Sequence, residues 1–401
     1  MSRIAILGSG AWGTAIALSL HRRGGHHITL WAHSPEAAQE IADAGENSLF
    51  LPGFPIPSDI VITGSESAVA DAEIVVSVVP SEFLRPTLAR LRPHLHPGQV
   101  IVSATKGVEN LTFLRMTQVI ADCLAPGAAQ ADNPPLTVQS QSNPPAETGP
   151  LAPGQDLPEQ SEAVLEGNTD PFADNPSLEV SSSGMAPAPL SLQDLNLPIG
   201  ALSGPSFALE VANSQPTAIT IAFQDPEIAA FIQQEFSSDS LRLYTSTDVI
   251  GVELGGALKN VIAIAAGVAA GVGLGHNSTA ALITRGIAEI TRLAVACGGQ
   301  RDTLAGLSGV GDLVLTCTGS LSRNRTVGEA LGQGRQLPEI LQSLGGKVAE
   351  GVLTTRAALG LARRHGIEMP IAEQMELILD EGKDPREAIR QLMLRPGRHE
   401  L

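Results

Sequence analysis

Two kinds of apolar pattern alternate over the first 125 residues of the chain. Short runs rich in Val and Ile are typical of buried strands: "RIAILG", "HITLWAH", "AEIVVSVVP" and "QVIVSATKG". Segments with helical spacing separate most of these runs, at 11–24, 35–44, 84–92 and 111–124. Alternation of this kind predicts a parallel sheet covered by helices.

The alternation stops at residue 126 and does not resume before Leu197. The 71 residues between these points contain 12 of the 28 prolines and ten acidic residues, but no Lys or Arg. Such a composition buries too little apolar surface to offset the entropy lost on ordering, so it predicts a disordered insertion. An acidic docking segment is the alternative interpretation, although no motif supports it.

Beyond Leu197 the strand pattern returns and then gives way to helices. Three strand-like runs follow, "LPIGALSG", "PTAITIAF" and "LRLYTS", and helical spacing then dominates, at 248–274, 278–298, 325–332, 349–364 and 371–381. The sequence therefore predicts an α/β protein with an N-terminal Rossmann-type doubly wound sheet and a C-terminal, mostly α-helical domain. We expect the sheet domain at 1–125 and 197–246, the insertion at 126–196 and the helical domain at 247–401.

Charge and composition exclude several classes of function. The net charge is −17, whereas nucleic acids and anionic membranes require clustered positive charge, so we expect neither as a partner. The longest apolar run, around 261–274, is interrupted by glycines and predicts a buried helix, not a membrane span. Three widely spaced cysteines form neither a zinc motif nor a disulfide framework, and we expect no metal site. With no recognisable signal peptide, these features predict a cytoplasmic protein.

The clearest motif is a glycine loop between the first strand and the first helix. Gly8, Gly10 and Gly13 form the pattern G-x-G-x-x-G. In a dinucleotide-binding unit these glycines permit a tight turn, close approach of a pyrophosphate to the backbone, and close packing of helix on strand. The amides of the following helix then face the phosphates. The alternative is a glycine-rich turn that serves packing alone.

The end of the second strand bears on the choice of cofactor. An Asp or Glu there would bind the ribose 2′-hydroxyl of NAD, and it would repel the 2′-phosphate of NADP. This chain has His33 and Ser34 at that point, followed by Glu36. The sequence thus permits NADP as well as NAD, and we favour NADPH.

Three other segments are expected near the cofactor, because ligands of such sheets bind beyond the carboxyl ends of the strands. Pro80, Lys106 and the turn 203–206 each follow a predicted strand. Lys106 is then either an anion ligand or a solvated loop lysine.

A second lysine interrupts the apolar stretch "VELGGALKNVIAIAAGVAAGVGL" at residues 252–274. Lys259 shares a helix face with Gly255, Gly256 and Ala263. In the simpler interpretation, Lys259 lays its stem on apolar surface and keeps its ammonium group in water. The glycines favour another, in which a ligand approaches the helix closely and Lys259 transfers a proton to it.

Seven motifs, in order, resemble those of the bacterial NAD(P)-dependent glycerol-3-phosphate dehydrogenases: "GSGAWGTA", "SATKGVE", "LSGPSFALE", "DVIGVELGGALKNVIAIAAGV", "ALITRGIAEI", "GVGDLVLTCTGSLSRNR" and "VAEGV". The resemblance covers residues 1–125 and 197–385. It implies reversible hydride transfer between dihydroxyacetone phosphate and sn-glycerol 3-phosphate with NAD or NADP. It also implies a cytoplasmic homodimer that supplies glycerol 3-phosphate for phospholipid synthesis.

The same resemblance implies roles for individual residues. Lys259 in "GGALKN" is then the proton donor and acceptor and also a substrate contact. The remaining substrate contacts that it implies are Lys106, Gly204, Ser206, Asp312, Ser322, Arg323 and Asn324. Beyond the three loop glycines, it implies cofactor contacts for Ala11, Trp12, His33, Lys106, Ala208, Arg323, Val348 and Glu350.

The substrate phosphate explains why an arginine is expected in "LSRNR". The planar guanidinium of Arg323 offers two parallel donors to a phosphate, and the amide of Asn324 offers more. Without the resemblance, a solvated basic turn is the alternative. One residue departs from the family pattern: Ala11 stands where relatives can have a serine, so a hydroxyl contact with the cofactor is lost there.

Two other functions fit parts of the sequence. One is another lysine-dependent, two-domain dehydrogenase of a small hydroxy acid, which phosphate recognition by Arg323 argues against. The other is a non-catalytic NADPH-sensing protein, which would need neither Lys259 nor Arg323.

Overall fold

A computed structural model describes residues 1–125, 197–344 and 349–397. Within these ranges the strands, numbered in chain order, are β1 Ser2–Leu7, β2 His26–Trp31, β3 Glu46–Asn47, β4 Leu51–Pro55, β5 Val61–Thr63, β6 Ile74–Ser77, β7 Val100–Ser103, β8 Ile199–Ser203, β9 Thr217–Ala222 and β10 Leu241–Ser246. The predicted insertion at 126–196 and the predicted cofactor contact Val348 lie outside the described residues.

The α-helices of these ranges are numbered in the same way. They are α1 Ala11–Arg23, α2 Pro35–Ala44, α3 Ser81–Leu91, α4 Met116–Leu124, α5 Ala208–Ala212, α6 Pro226–Phe236, α7 Val249–Gly271, α8 His276–Ala296, α9 Arg301–Ala305, α10 Asp312–Thr318, α11 Arg323–Gly332, α12 Leu337–Ser343, α13 Glu350–Arg364, α14 Pro370–Glu381 and α15 Pro385–Met393.

Eight of the described strands form one sheet in the order β10-β9-β8-β7-β6-β1-β2-β5. Every neighbouring pair in it is parallel except β8 and β9, which are antiparallel. The strands from β8 to β5 in this order therefore point the same way. Their carboxyl ends meet at one edge, where ligands of doubly wound sheets bind.

The residues of β1 show why both faces of the sheet are covered. Ile4 and Ile6 belong to one buried cluster, whereas Ala5 and Leu7 belong to another. Since successive side chains of a strand point to opposite faces, a strand that is apolar at every position needs cover on both. The predicted fold class, a doubly wound sheet followed by a mostly helical part, is confirmed.

The helical part is built around α7, whose residues are buried over nearly the whole length. This helix is long and apolar enough to cross a membrane, but 94% of its most apolar 18-residue stretch is buried inside the fold. The predicted buried helix is therefore confirmed. Glycines let α11 approach it closely, because a Cβ at Gly328 would lie 1.9 Å from the Ile264 carbonyl oxygen. That approach brings the start of α11 beside α7.

One predicted helix begins later than expected. The segment predicted at 111–124 is helical only from Met116, since Leu111 and Phe113 have φ angles of 74° and 59°. Phe113 instead lies against Gly360, where a Cβ would be 2.2 Å from its ring. The Arg364 guanidinium stacks 4.4 Å from the centre of the same ring. Packing against α13 thus overrides the local helical pattern.

Candidate active site

The glycine loop after β1 has the geometry that a dinucleotide requires. Gly8 has φ of +112°, and a Cβ at Gly13 would lie 1.9 Å from the Gly8 carbonyl oxygen. These two glycines serve the turn and the packing of α1 on β1. A Cβ at Gly10, by contrast, would meet nothing within 4 Å, so packing does not explain that glycine.

The start of α1 supports the same interpretation. Gly10 is the N-cap residue, no side chain caps the helix, and its first turn contains no acidic residue. The free amides of a helix N-terminus bind anions, because they are donors without internal partners and carry the positive end of the helix dipole. The loop therefore fits the pyrophosphate of NAD or NADP.

Lys106 and Gly204 meet at the carboxyl ends of β7 and β8, which are neighbours in the sheet. The Lys106 Nζ donates to the Gly204 carbonyl oxygen at 3.4 Å and to the Asp312 Oδ2 at 2.6 Å. Gly204 has φ of +141°, a conformation that other residues rarely adopt. Lys106 is therefore held in place over the sheet edge and is not a freely solvated loop lysine.

Lys259 of α7 points at the same carboxylate from the other side. Its Nζ donates to the Asp312 Oδ1 and, at 2.7 Å, to the Thr316 Oγ1. Lys259 is 7% exposed and Asp312 is 1% exposed. One buried carboxylate thus bridges two ammonium groups, and the cluster keeps a net positive charge.

The surroundings of Lys259 lower its pKa. Burial lowers this pKa to about 8, and the nearby Lys106 lowers it as well, whereas Asp312 opposes the shift. A lysine in this state exchanges its proton near neutral pH, as a general acid or base must. A lysine that only snorkelled to water would have an exposed ammonium group, which Lys259 does not have.

A short π-helix places Asp312 between the two lysines. It spans Leu307–Gly311, between α9 and α10, and Asp312 is the residue that follows. Such turns shift the register of the helix that follows and are frequent at functional sites. The Thr316 hydroxyl donates back to the Asp312 carbonyl oxygen at 2.6 Å, so its oxygen is left to accept from the Lys259 Nζ.

The glycines beside Lys259 have a different role from the one predicted. A Cβ at Gly255 would lie 2.5 Å from the Ser308 carbonyl oxygen, and one at Gly256 would lie 2.2 Å from the Ser203 Oγ. The close approach at this helix face is therefore made by the π-helix and by the end of β8. The expectation that these glycines make room for the ligand was wrong. They bring Asp312 and Lys106 within reach of Lys259.

The segment before and within α11 supplies one unpaired cation. Ser322 caps the helix by accepting from the Arg325 amide at 3.2 Å, and the Asn324 Oδ1 accepts from the Gly351 amide at 2.9 Å. Arg323 is exposed and forms no hydrogen bond or ion pair with the described residues. Its guanidinium is thus available for an anionic ligand.

Glu350, the first residue of α13, is within electrostatic range of Arg323, Lys106 and Lys259. Burial raises its pKa, while the charges of Arg323, Lys106 and Lys259 oppose that rise. The Asn260 Nδ2 donates to the Glu350 Oε2 at 3.4 Å. The charges of Lys106, Lys259 and Arg323 therefore converge on one region, where an anionic substrate is favoured.

Comparison with protein families agrees with this chemistry. The N-terminal model of the NAD-dependent glycerol-3-phosphate dehydrogenases matches residues 3–131 and 190–229, and the C-terminal model matches residues 248–390. The chain belongs to the NAD-dependent glycerol-3-phosphate dehydrogenase family. The predicted family, the predicted enzyme class and the use of NAD or NADP are thereby confirmed.

Relatives extend this match over the full length. The chain is 50% identical to the glycerol-3-phosphate dehydrogenase [NAD(P)+] of Acidobacterium capsulatum, with 100% of both chains covered. It is 48% identical to the protein of the same name from Koribacter versatilis, over 100% of this chain and 99% of that one.

Solved structures of two kinds of enzyme share this fold. The glycerol-3-phosphate dehydrogenase of Coxiella burnetii superposes with a TM-score of 0.77 at 32% identity, over 98% of this chain and 99% of that one. A ketopantoate reductase from Ralstonia eutropha shares the fold at a TM-score of 0.52 and 15% identity, over 96% of this chain and 99% of that one. The fold alone therefore does not decide the substrate.

The remaining predicted contact residues lie at the starts of helices or just after strands. Ala11 and Trp12 begin α1, Ala208 begins α5, and His33 is exposed just beyond β2. The Ser206 Oγ donates to the Gly204 carbonyl oxygen at 3.0 Å. Ser206 therefore lies at the turn that also holds Lys106.

Two polar residues of the site were not among the predicted contacts. Thr316 accepts from the Lys259 Nζ, and Asn260 donates to Glu350. Asn260 follows Lys259 directly in an apolar helix, which is a signal in the sequence. Thr316 is one turn beyond Asp312 on α10, a helix that the apolar pattern did not predict.

Proposed function

We propose that this site interconverts dihydroxyacetone phosphate and sn-glycerol 3-phosphate, with Lys259 as proton donor and acceptor. The observation that carries the proposal is the Lys259–Asp312–Lys106 cluster next to the carboxyl ends of β7 and β8, in which Lys259 and Asp312 are buried and Lys106 is partly buried. A ketone that receives a hydride develops negative charge on its oxygen, and a positioned acid must deliver a proton there.

The hydrogen bonds of Lys259 leave room for this role. An ammonium group has three N–H donors. Two of them donate hydrogen bonds, one to Asp312 and one to Thr316. The third has no acceptor among the described residues and is free to donate to the substrate oxygen. In the reverse direction the neutral amine accepts the proton from the hydroxyl group. Asp312 keeps the amine in position in both directions.

When bound, the nicotinamide would supply the hydride, and residues of this chain would hold the dinucleotide. Gly8, Gly10 and Gly13 would hold its pyrophosphate together with the first amides of α1. The further contacts that we propose for the cofactor are Ala11, Trp12, His33, Lys106, Ala208, Arg323, Val348 and Glu350. Support comes from the open space at Gly10 and the uncapped start of α1.

The substrate phosphate is held by the unpaired cation of α11. Arg323 presents a planar fork of donors and is the best match for a phosphate. The other substrate contacts that we propose are Lys106, Gly204, Ser206, Asp312, Ser322 and Asn324. The Ser322 hydroxyl accepts its cap bond and keeps its own hydrogen to donate.

Oxidation of NADH or NADPH in the presence of dihydroxyacetone phosphate, followed by absorbance, tests the proposal. Arg323→Lys should raise the KM for dihydroxyacetone phosphate markedly, because a point charge replaces a bidentate donor. Non-phosphorylated dihydroxyacetone should be a poor substrate for both forms. A suitable control is Arg325→Lys, since Arg325 already pairs with Glu329 at 3.3 Å in the same helix. An unchanged KM in the Arg323 variant would remove Arg323 from the phosphate site.

We also propose that the protein is a cytoplasmic homodimer that supplies glycerol 3-phosphate for phospholipid synthesis. Membership of the dehydrogenase family supports each part of this statement. Light scattering on the purified protein measures the oligomeric state, and a monomer across the working concentration range would contradict the dimer.

A further inference from the structure

One arginine reaches the end of β2 from another element of the sheet domain. The Nη1 of Arg90, in the last turn of α3, donates to the His33 carbonyl oxygen at 3.4 Å. Its guanidinium carbon lies 5.7 Å from the ring centre of Trp31, the last residue of β2. The Arg90 Nε donates to the Glu66 Oε1 at 2.9 Å. The Arg90 guanidinium is thus fixed at the strand end where a Rossmann fold distinguishes NAD from NADP.

We propose that Arg90 binds the 2′-phosphate of NADP and thereby sets the preference for NADPH over NADH. This inference rests on the proposed function of the protein, and it names a residue that determines cofactor specificity. Nothing in the motif-based prediction pointed to Arg90, because α3 lies far from "WAHSPE" in the sequence.

The hydrogen bonds of the Arg90 guanidinium leave donors available for a phosphate. A guanidinium has five N–H donors in a planar fork. Within the described part of the chain, Glu66 accepts from Nε and His33 accepts from Nη1, whereas Nη2 has no acceptor. The side chain of Arg90 is 48% exposed, so a phosphate has access to the free edge. Trp31 and Glu66 hold the plane of the fork before any ligand binds, which lowers the entropy cost of binding.

Two carboxylates near the end of β2, those of Glu66 and Glu36, could favour NAD by accepting from its ribose 2′-hydroxyl. Glu66 is already the partner of Arg90. Glu36 lies past the strand end, in the first turn of α2, and hydrogen bonding to its own backbone amide and to the Ser34 hydroxyl lowers its pKa. Neither therefore replaces the Asp or Glu that accepts from the ribose 2′-hydroxyl in NAD-dependent proteins.

Calorimetric titration with two small nucleotides isolates the effect from catalysis. Adenosine 2′,5′-bisphosphate carries the 2′-phosphate, and adenosine 5′-monophosphate lacks it. Arg90→Gln should weaken binding of the bisphosphate by about 10–100-fold, the value of a hydrogen-bonded charge pair, and should change that of the monophosphate by less than about twofold. Retained binding of the monophosphate by Arg90→Gln would also show that the nucleotide site of the variant is folded.

Arg242→Gln is the matched control for loss of a stacked surface arginine. The Arg242 guanidinium lies 5.2 Å from the ring centre of Tyr244 on β10, away from the end of β2. This variant should bind both nucleotides as the wild-type protein does. Equal losses for both nucleotides in Arg90→Gln, or no loss for either, would overturn the proposal.

Steady-state kinetics separates this inference from the proposed function. In Arg90→Gln the KM for NADPH should rise by the factor measured for the bisphosphate, while the KM for NADH stays within about twofold. A wild-type protein that reduces no dihydroxyacetone phosphate with either cofactor would contradict the proposed function. The nucleotide titrations would still decide the role of Arg90.

Discussion

Lys259 combines two features that a proton-transfer residue needs. Its ammonium group is buried, which lowers its pKa to about 8, and one of its N–H donors is left without an internal acceptor. Asp312 keeps the charged form accessible in that setting, because a buried ammonium without a counter-ion would lose its proton altogether. We infer that the pair of lysines around one carboxylate sets the proton affinity of the site.

Replacement of Lys259 by Met tests the proton-transfer role directly. Met retains the stem and is a good helix former, and Asp312 keeps Lys106 as its partner, so the fold should survive. The loss of a positioned general acid should lower kcat by about 10²–10⁴-fold, with NADPH affinity nearly unchanged. Lys383→Met, at a surface lysine bonded to Gln374 and Gln391, is the control. A folded Lys259 variant that turns over within a few-fold of wild type would contradict the assignment.

The pH dependence should differ between the two reaction directions. Oxidation of glycerol 3-phosphate needs neutral Lys259, so its rate should rise with pH and level off above the pKa of about 8. Reduction of dihydroxyacetone phosphate needs the ammonium form, so its rate should fall as pH passes that value. Asp312→Asn removes the carboxylate that raises the Lys259 pKa, and both transitions should move to lower pH. Rate profiles with the same sign in both directions would refute this mechanism.

At the scale of elements, the site depends on how closely three segments approach α7. The end of β8 packs at Gly256, the π-helix packs at Gly255, and α11 packs at Gly267, where a Cβ would lie 2.0 Å from the Arg325 carbonyl oxygen. Each contact is between backbones or short side chains. These contacts deliver Lys106, Asp312 and Arg323 to the region around Lys259.

Gly255→Ala should therefore affect both stability and catalysis. The added Cβ would lie 2.5 Å from the Ser308 carbonyl oxygen, and the π-helix that precedes Asp312 would have to move. Overpacking should cost about 1–3 kcal/mol in the free energy of unfolding, more than the roughly 1 kcal/mol gained in helix propensity. The kcat should fall as well. Denaturant unfolding and kinetics measure the two effects.

Gly275→Ala at the start of α8 provides the comparison, since a Cβ there would meet nothing within 4 Å. It should leave kcat unchanged. If Gly255→Ala were as stable and active as this control, the close approach at the π-helix would not be required.

On the scale of the whole molecule, a mostly parallel sheet supplies the strand ends where we propose that the cofactor binds, and the helices after residue 248 supply Lys259, Asp312 and Arg323. The proposed active site thus draws on both parts of the chain. The family models match these parts and leave residues 132–189 unmatched. None of the predicted site residues falls in that unmatched stretch.

Replacing residues 132–189 by a short Gly/Ser linker should therefore leave the protein active. Leu124, Ala125 and Leu197 are buried in one cluster and must be retained. We expect kcat and the unfolding midpoint to stay close to those of the full chain, because the removed composition contributes little apolar surface. Slow amide hydrogen exchange across 140–190 in the full chain, or loss of activity on replacement, would contradict the prediction of a disordered insertion.

Local features of the chain were predictable from the sequence because they depend on neighbours in the chain. Strand-like runs predicted most of the sheet, G-x-G-x-x-G predicted the tight turn between β1 and α1, and a lysine within an apolar helix marked Lys259 as a candidate. The helix predicted at 111–124 failed at its start, where Phe113 packs on Gly360 of α13, a contact that no local pattern reveals.

The sequence by itself determined the fold class, the family and the candidate proton-transfer lysine, since periodicity and motifs are properties of short segments. Only the tertiary structure decided which groups surround that lysine. Asp312 is 53 residues from Lys259 and 206 residues from Lys106, yet it binds both. The same holds for Arg90, which meets His33 across 57 residues. Such contacts depend on the packing of whole helices and strands, which the spacing of residues in one segment does not encode.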